Sequence, residues 1–174
     1  MSKKTVSIFG TGRARPGDEA FELAEELGKV LAEAGFRIAN GGYSGTMLAA
    51  AKGAAEAGGE TIGVTCLAFG RGGANEYISR EIVASTLDER LETLIELGWA
   101  YAVLPGSTGT LLELAKVWEL KNKGFLSSEK PIILVGGFWK PLVELVAADE
   151  PGAIACIRQA DGPEQVKDIL TNCI

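Results

Sequence analysis

Trp99-Ala-Tyr-Ala-Val-Leu-Pro-Gly-Ser-Thr-Gly-Thr-Leu-Leu-Glu113 passes through three structural states in one short stretch. Trp99–Leu104 has the apolar composition of a buried strand, Pro105-Gly-Ser-Thr-Gly109 is a turn, and Leu111–Lys123 repeats apolar residues at helical spacing. A strand that ends in a glycine-rich turn and re-emerges as a helix is the unit of a parallel sheet, and the same unit recurs on both sides. The further strands expected are Thr5–Phe9, Phe36–Ala39, Glu60–Thr65, Ile78–Ala84, Pro131–Val135 and a short Ile154–Ile157. The further helices are Pro16–Ala34, ended by Gly35, then Ser44–Ala57 and Leu87–Leu97. The expectation is an α/β fold, with a mostly parallel sheet of about seven strands and helices on both faces.

The chain has 174 residues, 47% hydrophobic and 23% charged, which suits one globular domain over 1–174 and excludes a disordered chain. Neither repeats nor a linker divides it. Seventeen basic against 23 acidic residues give a net charge of −6, which argues against a nucleic acid polymer as partner but leaves room for a local anion pocket. No apolar run approaches a membrane span or a signal peptide, so a cytoplasmic protein is expected. Cys66, Cys156 and Cys173 lack metal-ligand spacing and read as reduced, buried thiols. The chain contains no histidine, which removes imidazole-based nucleophilic and zinc chemistry. Neither metal nor cofactor is called for.

Three turns after strands concentrate Gly, Ser and Thr, and ligands of open parallel sheets bind at such strand ends. Gly10-Thr-Gly-Arg-Ala-Arg15 begins like a dinucleotide fingerprint but has Arg15 at the third glycine, and Asn40-Gly41-Gly42 stands where a ribose-binding acid is expected. The other two are Asn40-Gly-Gly-Tyr-Ser-Gly-Thr46 and Leu104-Pro-Gly-Ser-Thr-Gly-Thr110, each opening a helix. Converging amides and the positive helix end make both candidate phosphate cradles, against the alternative of tight turns that need glycine only for positive φ. The candidate binding residues are Gly10, Gly41, Gly42, Gly45, Thr46, Pro105, Gly106, Ser107, Thr108, Gly109 and Thr110.

Gly41-Gly-Tyr-Ser-Gly-Thr-Met47 resembles the GGGxxGLMG element of the LOG (Lonely Guy) family, formerly labelled lysine decarboxylases. Pro105-Gly-Ser-Thr-Gly-Thr-Leu-Leu-Glu113 resembles its PGGxGTxxE element, and Leu87-Asp-Glu-Arg-Leu91 its M-x-x-R-K segment. The resemblance, from about Val6 to Lys123, implies a Rossmann-like fold, a homodimer or higher homo-oligomer, and hydrolysis of a nucleoside 5′-monophosphate, a cytokinin riboside monophosphate or AMP-like substrate or a related phosphorylated small molecule, to free base and ribose 5-phosphate. It also implies a catalytic pair, Arg90 and Glu113. Leu91 replaces the family's lysine and Ser107 the second glycine of PGG. Two other readings stand beside the hydrolase: a non-catalytic nucleotide-binding or sensing protein, and a pyridoxal phosphate decarboxylase, for which no lysine is singled out.

The residues themselves admit this chemistry. Cleavage of an N-glycosidic bond develops oxocarbenium character, which a carboxylate stabilises while activating water. Glu113, as the third or fourth residue of its helix, is suited to that role, although Thr110-x-x-Glu113 also reads as a capping box. Arg90 lies at the margin of the Leu87–Leu91–Leu94 stripe without a helical ion-pair partner, which suits an oxyanion clamp or a snorkelling surface arginine. The loop Leu67–Tyr77 reads as a lid or base-recognition loop carrying Arg71 and Glu76, with Arg80 just beyond it and Arg13 and Arg15 after the first strand as secondary candidates. Leu112, Val117 and Leu120 mark a second apolar side of the last motif's helix, suited to a homodimer contact or to deep burial.

Overall fold

A computed structural model describes residues 3–173. In chain order the elements are β1 (Thr5–Phe9), α1 (Glu19–Glu33), β2 (Arg37–Asn40), α2 (Thr46–Glu56), β3 (Thr61–Cys66), β4 (Arg80–Ala84) and α3 (Leu87–Leu97). They continue with β5 (Ala100–Val103), α4 (Thr108–Asn122), β6 (Ile132–Val135), α5 (Lys140–Asp149), β7 (Arg158–Ala160) and α6 (Pro163–Thr171). Short 3₁₀ turns occupy Leu67–Phe69 and Pro151–Cys156. The strands form one sheet in the order β4-β3-β2-β1-β5-β6-β7, and all six pairings are parallel.

Period-2 alternation divides the core into two layers. Ile8, Ala102 and Ile133 face α1, α2 and α6, whereas Phe9, Tyr101, Val103 and Leu134 face α3 and α4. Ser7 belongs to the second layer, where its hydroxyl donates to the Leu94 carbonyl at 2.7 Å. Trp99 stacks on Phe36 at 6.0 Å beneath the Lys4 ammonium. The alanine-rich α2 packs closely against α1: a Cβ on Gly28 would lie 2.0 Å from the Ala50 carbonyl oxygen, and one on Gly53 would lie 1.9 Å from that of Glu25.

The chain runs outward from β1 to β4 and then returns to β5 on the other side of β1. That reversal leaves a crevice at the carboxyl ends of β1 and β5. Phe9 pairs with Val103, so the turns starting at Gly10 and Pro105 leave the sheet side by side. The fold therefore brings the first and third glycine-rich turns together.

Several element bounds differ from the sequence expectations for local reasons. The strand expected at Ile154–Ile157 is a 3₁₀ turn, and the edge strand is the polar Arg158–Ala160. Pro151-Gly152 starts the turn, Ala153 is buried, and Trp118 Nε1 donates to its carbonyl at 2.9 Å. Helix α1 begins at Glu19 because Gly17 has φ +94° and Asp18 accepts the Arg15 amide at 2.8 Å. Helix α4 begins at Thr108, so Glu113 is its sixth residue and Thr110 lies inside the helix, which removes the proposed Thr110–Glu113 capping box. A box of this kind does stand before α3, where Thr86 Oγ1 accepts from the Glu89 amide and the Glu89 carboxylate accepts from the Ser85 amide. Of the cysteines only Cys66 is buried; Cys156 and Cys173 are half-buried.

Candidate functional site

Protein atoms fill the turn before α2. The Thr46 amide and hydroxyl both donate to the Thr11 carbonyl, at 2.8 and 3.0 Å, and Ser44 Oγ donates to the Gly12 carbonyl at 3.0 Å. A Cβ on Gly45, whose φ is +69°, would lie 2.3 Å from the Thr11 oxygen, and one on Gly10 would lie 2.4 Å from Thr46 Oγ1. Asn40 ties the same turn down, accepting from the Gly42 amide at 2.8 Å and donating to the Met47 carbonyl at 2.9 Å. The Thr11 carbonyl thus takes the first amide of α2, while the amides of Met47 and Leu48 find no acceptor among the described residues.

The turn before α4 is open. Leu111 N–H closes the first helical turn on the Ser107 carbonyl, while the amides of Thr108, Gly109 and Thr110 find no hydrogen-bond acceptor among the described residues. Ser107, at the N-cap position, makes no capping bond with its side chain. A Cβ on Gly109 would meet nothing within 4 Å, whereas one on Gly106 would lie 2.1 Å from Thr110 Oγ1, so Gly106 shapes the turn and Gly109 leaves room above it. Three unpaired amides at the positive end of a 15-residue helix form an anion-binding geometry.

One helical turn further along, Glu113 meets Arg90. Their closest charged atoms, Nη1 and Oε1, are 3.8 Å apart, an ionic contact too long for a hydrogen bond. Arg90 is 7% exposed and is held by its Nε–H, which donates to the Val64 carbonyl at 2.7 Å. Gly41 makes this position accessible, since a Cβ there would lie 1.7 Å from Arg90 Nη2. Burial pushes the Glu113 carboxyl up to about 7, with the Arg90 charge pulling the other way. Glu113 is therefore poised to exchange a proton near neutral pH without a strong partner.

Arg90 and Glu113 line a cleft of about 760 Å³ together with Gly10, Ser107, Gly109 and Thr110. Gly41, Gly42, Gly45, Thr46, Pro105, Gly106 and Thr108 lie outside its lining; the glycines at 41, 42, 45 and 106 act instead through backbone fit. Arg13 and Arg71 line the cleft. Arg15 belongs to the turn capped by Asp18, Glu76 lines a smaller neighbouring pocket, and Arg80 is exposed on β4. Leu91 lines the wall, and Leu87, expected in the core stripe, is 41% exposed at the cleft. On α4, Val117 is buried and Leu120 packs against the core, so the exposed large apolar residues of that helix are Leu111 and Leu112.

An aromatic wall was not anticipated from the sequence. Tyr43 is clamped through its hydroxyl, which accepts from the Cys66 amide at 2.8 Å, and its ring lies 6.0 Å from that of Phe69. The Arg90 guanidinium sits 5.8 and 5.5 Å from the Tyr43 and Phe69 centroids, and that of Arg71 sits 5.3 and 5.7 Å from the same two. Asn75 fixes the loop beyond Phe69 by donating to the carbonyls of Gly42 and Tyr43. The available signal was Tyr43 itself, a large aromatic residue within a glycine motif.

The chain is similar over 67% of its length to the cytokinin riboside 5′-monophosphate phosphoribohydrolase of Mycobacterium tuberculosis, with 36% identity, and spans 63% of that relative. The corresponding protein of Mycobacterium marinum is 32% identical over 78% of this chain and 71% of its own. Among solved structures, the molybdenum cofactor binding protein of Rippkaea orientalis superposes with a TM-score of 0.81 at 25% identity, covering 99% of this chain and 98% of the other. The Moco carrier protein of Chlamydomonas reinhardtii gives 0.76 at 26% identity, with coverage of 99% and 98%. The fold is thus shared by proteins named as hydrolases and by proteins named as carriers. A family model matches residues 3–161, and on that match the chain belongs to the SLOG cluster4 family.

Proposed function

We propose that the protein is a phosphoribohydrolase that cleaves the N-glycosidic bond of a nucleoside 5′-monophosphate. The observation that carries this reading is the uncapped start of α4, one helical turn before a largely buried carboxyl and a buried guanidinium. The amides of Thr108, Gly109 and Thr110 receive the 5′-phosphate, which brings the ribose beside Glu113 and Arg90. The Glu113 carboxylate accepts a proton from water as that water adds to C1′. The C1′–N bond breaks, its electron pair leaves with the base, and the base nitrogen takes a proton from solvent. Arg90 orients the ribose and keeps the carboxyl partly ionised. The names of the mycobacterial relatives support the same reaction.

A second reading, a non-catalytic carrier of a phosphorylated heterocycle, is favoured by the two-way, nearly complete match to the molybdenum cofactor proteins. One experiment separates the two. Purified protein is incubated with a panel of nucleoside 5′-monophosphates, with and without chelator, and free base and ribose 5-phosphate are followed by chromatography. Chelator-resistant release that disappears in Glu113→Gln is expected. Binding by thermal shift without release from any member would favour the carrier.

The exposed Leu87 and Leu112 at the cleft, with neighbouring Leu111, form the surface on which we place a second copy of the chain. Sedimentation velocity of the wild type and of Leu111→Glu/Leu112→Glu would show a dimer dissociating to a monomer. Among the described residues no helix is long and apolar enough to cross a membrane.

A further inference from the structure

Arg90 joins two parts of the cleft. Its Nη1 lies 3.8 Å from Glu113 Oε1, one helical turn beyond the open amides of α4, and its guanidinium lies 5.8 and 5.5 Å from the ring centroids of Tyr43 and Phe69. A nucleoside monophosphate has a matching order of phosphate, ribose and base. With the phosphate on α4 and C1′ beside Glu113, the base reaches the aromatic pair. Tyr43 is 8% exposed and Phe69 39%, so Phe69 is the ring that offers surface to a ligand. The edge groups beside it are mixed: Arg71 supplies donors, whereas the Phe69, Gly72 and Gly73 carbonyls have no donor among the described residues and stand as acceptors. The apolar face serves any base, because contact with an aromatic ring is tolerant of base identity.

The place of that face is set at the two ends of its loop, and both ends are tied to Tyr43. Where the chain leaves β3, the Cys66 amide donates to the Tyr43 hydroxyl at 2.8 Å. Where it returns, Asn75 Nδ2 donates to the Tyr43 carbonyl at 2.8 Å and to the Gly42 carbonyl at 3.0 Å. Glu81 on β4 holds the neighbouring Ala74 amide at 2.9 Å, but Asn75 is the side chain that links the returning end to Tyr43. Between the ties the loop packs little of its own: a Cβ on Gly70 or Gly72 would meet nothing within 4 Å. Asn75 Oδ1 accepts from the Tyr77 amide at 3.1 Å, so both ends of the side-chain amide are engaged within the protein although the residue lines the cleft. Its part is to hold, not to contact a ligand.

We infer that the base subsite is the Phe69 face at the Tyr43 end of the cleft, and that Asn75 is its positioning residue, acting on base affinity through Phe69. This rests on the proposed nucleoside monophosphate site and adds where the base lies and what holds that place.

The test is a double-mutant cycle read by calorimetric titration of the full chain, carrying Glu113→Gln to prevent turnover, with adenosine 5′-monophosphate and with ribose 5-phosphate, which lacks the base. Phe69→Ala is expected to weaken adenosine monophosphate about tenfold, the scale of one base–aromatic contact. Asn75→Ala should weaken it about fivefold, the scale of one net hydrogen bond. Ribose 5-phosphate should move less than about twofold in either variant, a selectivity that a general loss of structure would not give. In the Phe69→Ala background, Asn75→Ala should change adenosine monophosphate binding by less than about twofold, because the ring through which it acts is gone. Phe69 is exposed, and in Asn75→Ala the backbone amide keeps its own 2.8 Å bond to the Gly42 carbonyl, so both variants should stay folded at the titration temperature. Unchanged adenosine monophosphate binding in Phe69→Ala would overturn the base subsite. Unchanged binding in Asn75→Ala, or fully additive losses in the double variant, would overturn the role of Asn75. Both results would leave the phosphoribohydrolase reading standing. No binding of adenosine monophosphate to the parent would overturn the nucleotide site itself, and the inference with it.

Discussion

The turns at Asn40–Thr46 and Leu104–Thr110 are alike in composition, each with glycines, hydroxyls and a following helix, but the fold uses them in opposite ways. At the start of α2 the Thr11 and Gly12 carbonyls accept from Thr46 and Ser44, so the neighbouring turn takes the first amide of that helix and leaves those of Met47 and Leu48 without an acceptor among the described residues. At the start of α4 three amides remain without an acceptor, and two of their residues, Gly109 and Thr110, line the cleft. Glycine serves fit in the first case, where Gly45 has positive φ and no space for a Cβ, and access in the second, where Gly109 faces open space. A glycine-rich turn is therefore a phosphate cradle only where its donors are left unpaired.

If the open turn serves chemistry, the largest effect comes from the carboxyl one turn beyond it. Glu113→Gln is expected to lower kcat by about 10³-fold, within the range of general acid–base contributions, while nucleotide binding persists. Steady-state kinetics and calorimetry on one preparation check both. Loss of fold with unchanged activity per folded molecule would make Glu113 structural.

The next effect is with pH. Because Glu113 must be ionised to accept a proton and titrates at about 7, kcat/KM should rise roughly tenfold per pH unit below 7 and level off above it. Stability should run the other way. A carboxyl whose pKa is raised in the folded state stabilises the fold below its unfolded value near 4.5, and that contribution is lost as pH rises through about 7. Between pH 4.5 and pH 8 the stability of Glu113→Gln should thus gain on the wild type by up to ~3 kcal/mol, readable in denaturant titrations at the two pH values.

Two matched glycine substitutions compare the turns themselves. Gly45→Ala should destabilise the protein by about 2–4 kcal/mol, since it combines strained φ with overlap on the Thr11 carbonyl. Gly109→Ala should leave the thermal midpoint unchanged or slightly higher but weaken nucleotide binding about tenfold, by filling the space above the open amides. Equal effects at both positions would abolish the distinction. Smallest of all is Ser107→Gly, which restores the family's residue at an exposed N-cap whose side chain makes no capping bond; its KM should move less than about threefold, the scale of a few tenths of a kcal/mol.

Much of this is legible in the sequence. The strands of the sheet interior are short apolar runs bounded by glycine, and period and punctuation locate them within two residues. The edge strand Arg158–Ala160 was not legible, because it is polar and follows an apolar segment that buries Ala153 as a 3₁₀ turn. The early start of α4 was missed because Thr108, Gly109 and Thr110 are poor helix formers, and tertiary packing overrides that preference. Arg90 and Glu113, which the motifs single out, meet at 3.8 Å. Tyr43, Phe69 and Arg71 were not recognised as a wall because their meeting depends on the adjacent ends of β2 and β3, where Asn40 pairs with Gly63.

The central claim is that the open end of α4, not the end of α2 whose first amide the Thr11 carbonyl takes, receives the phosphate, and an amide NMR titration of the ¹⁵N-labelled protein with a nucleoside 5′-monophosphate tests it most directly. The account predicts large, saturable shifts at Thr108, Gly109 and Thr110 that are absent with the unphosphorylated nucleoside, with Thr46 scarcely moving. Shifts centred on Gly45 and Thr46, with Gly109 silent, would contradict it.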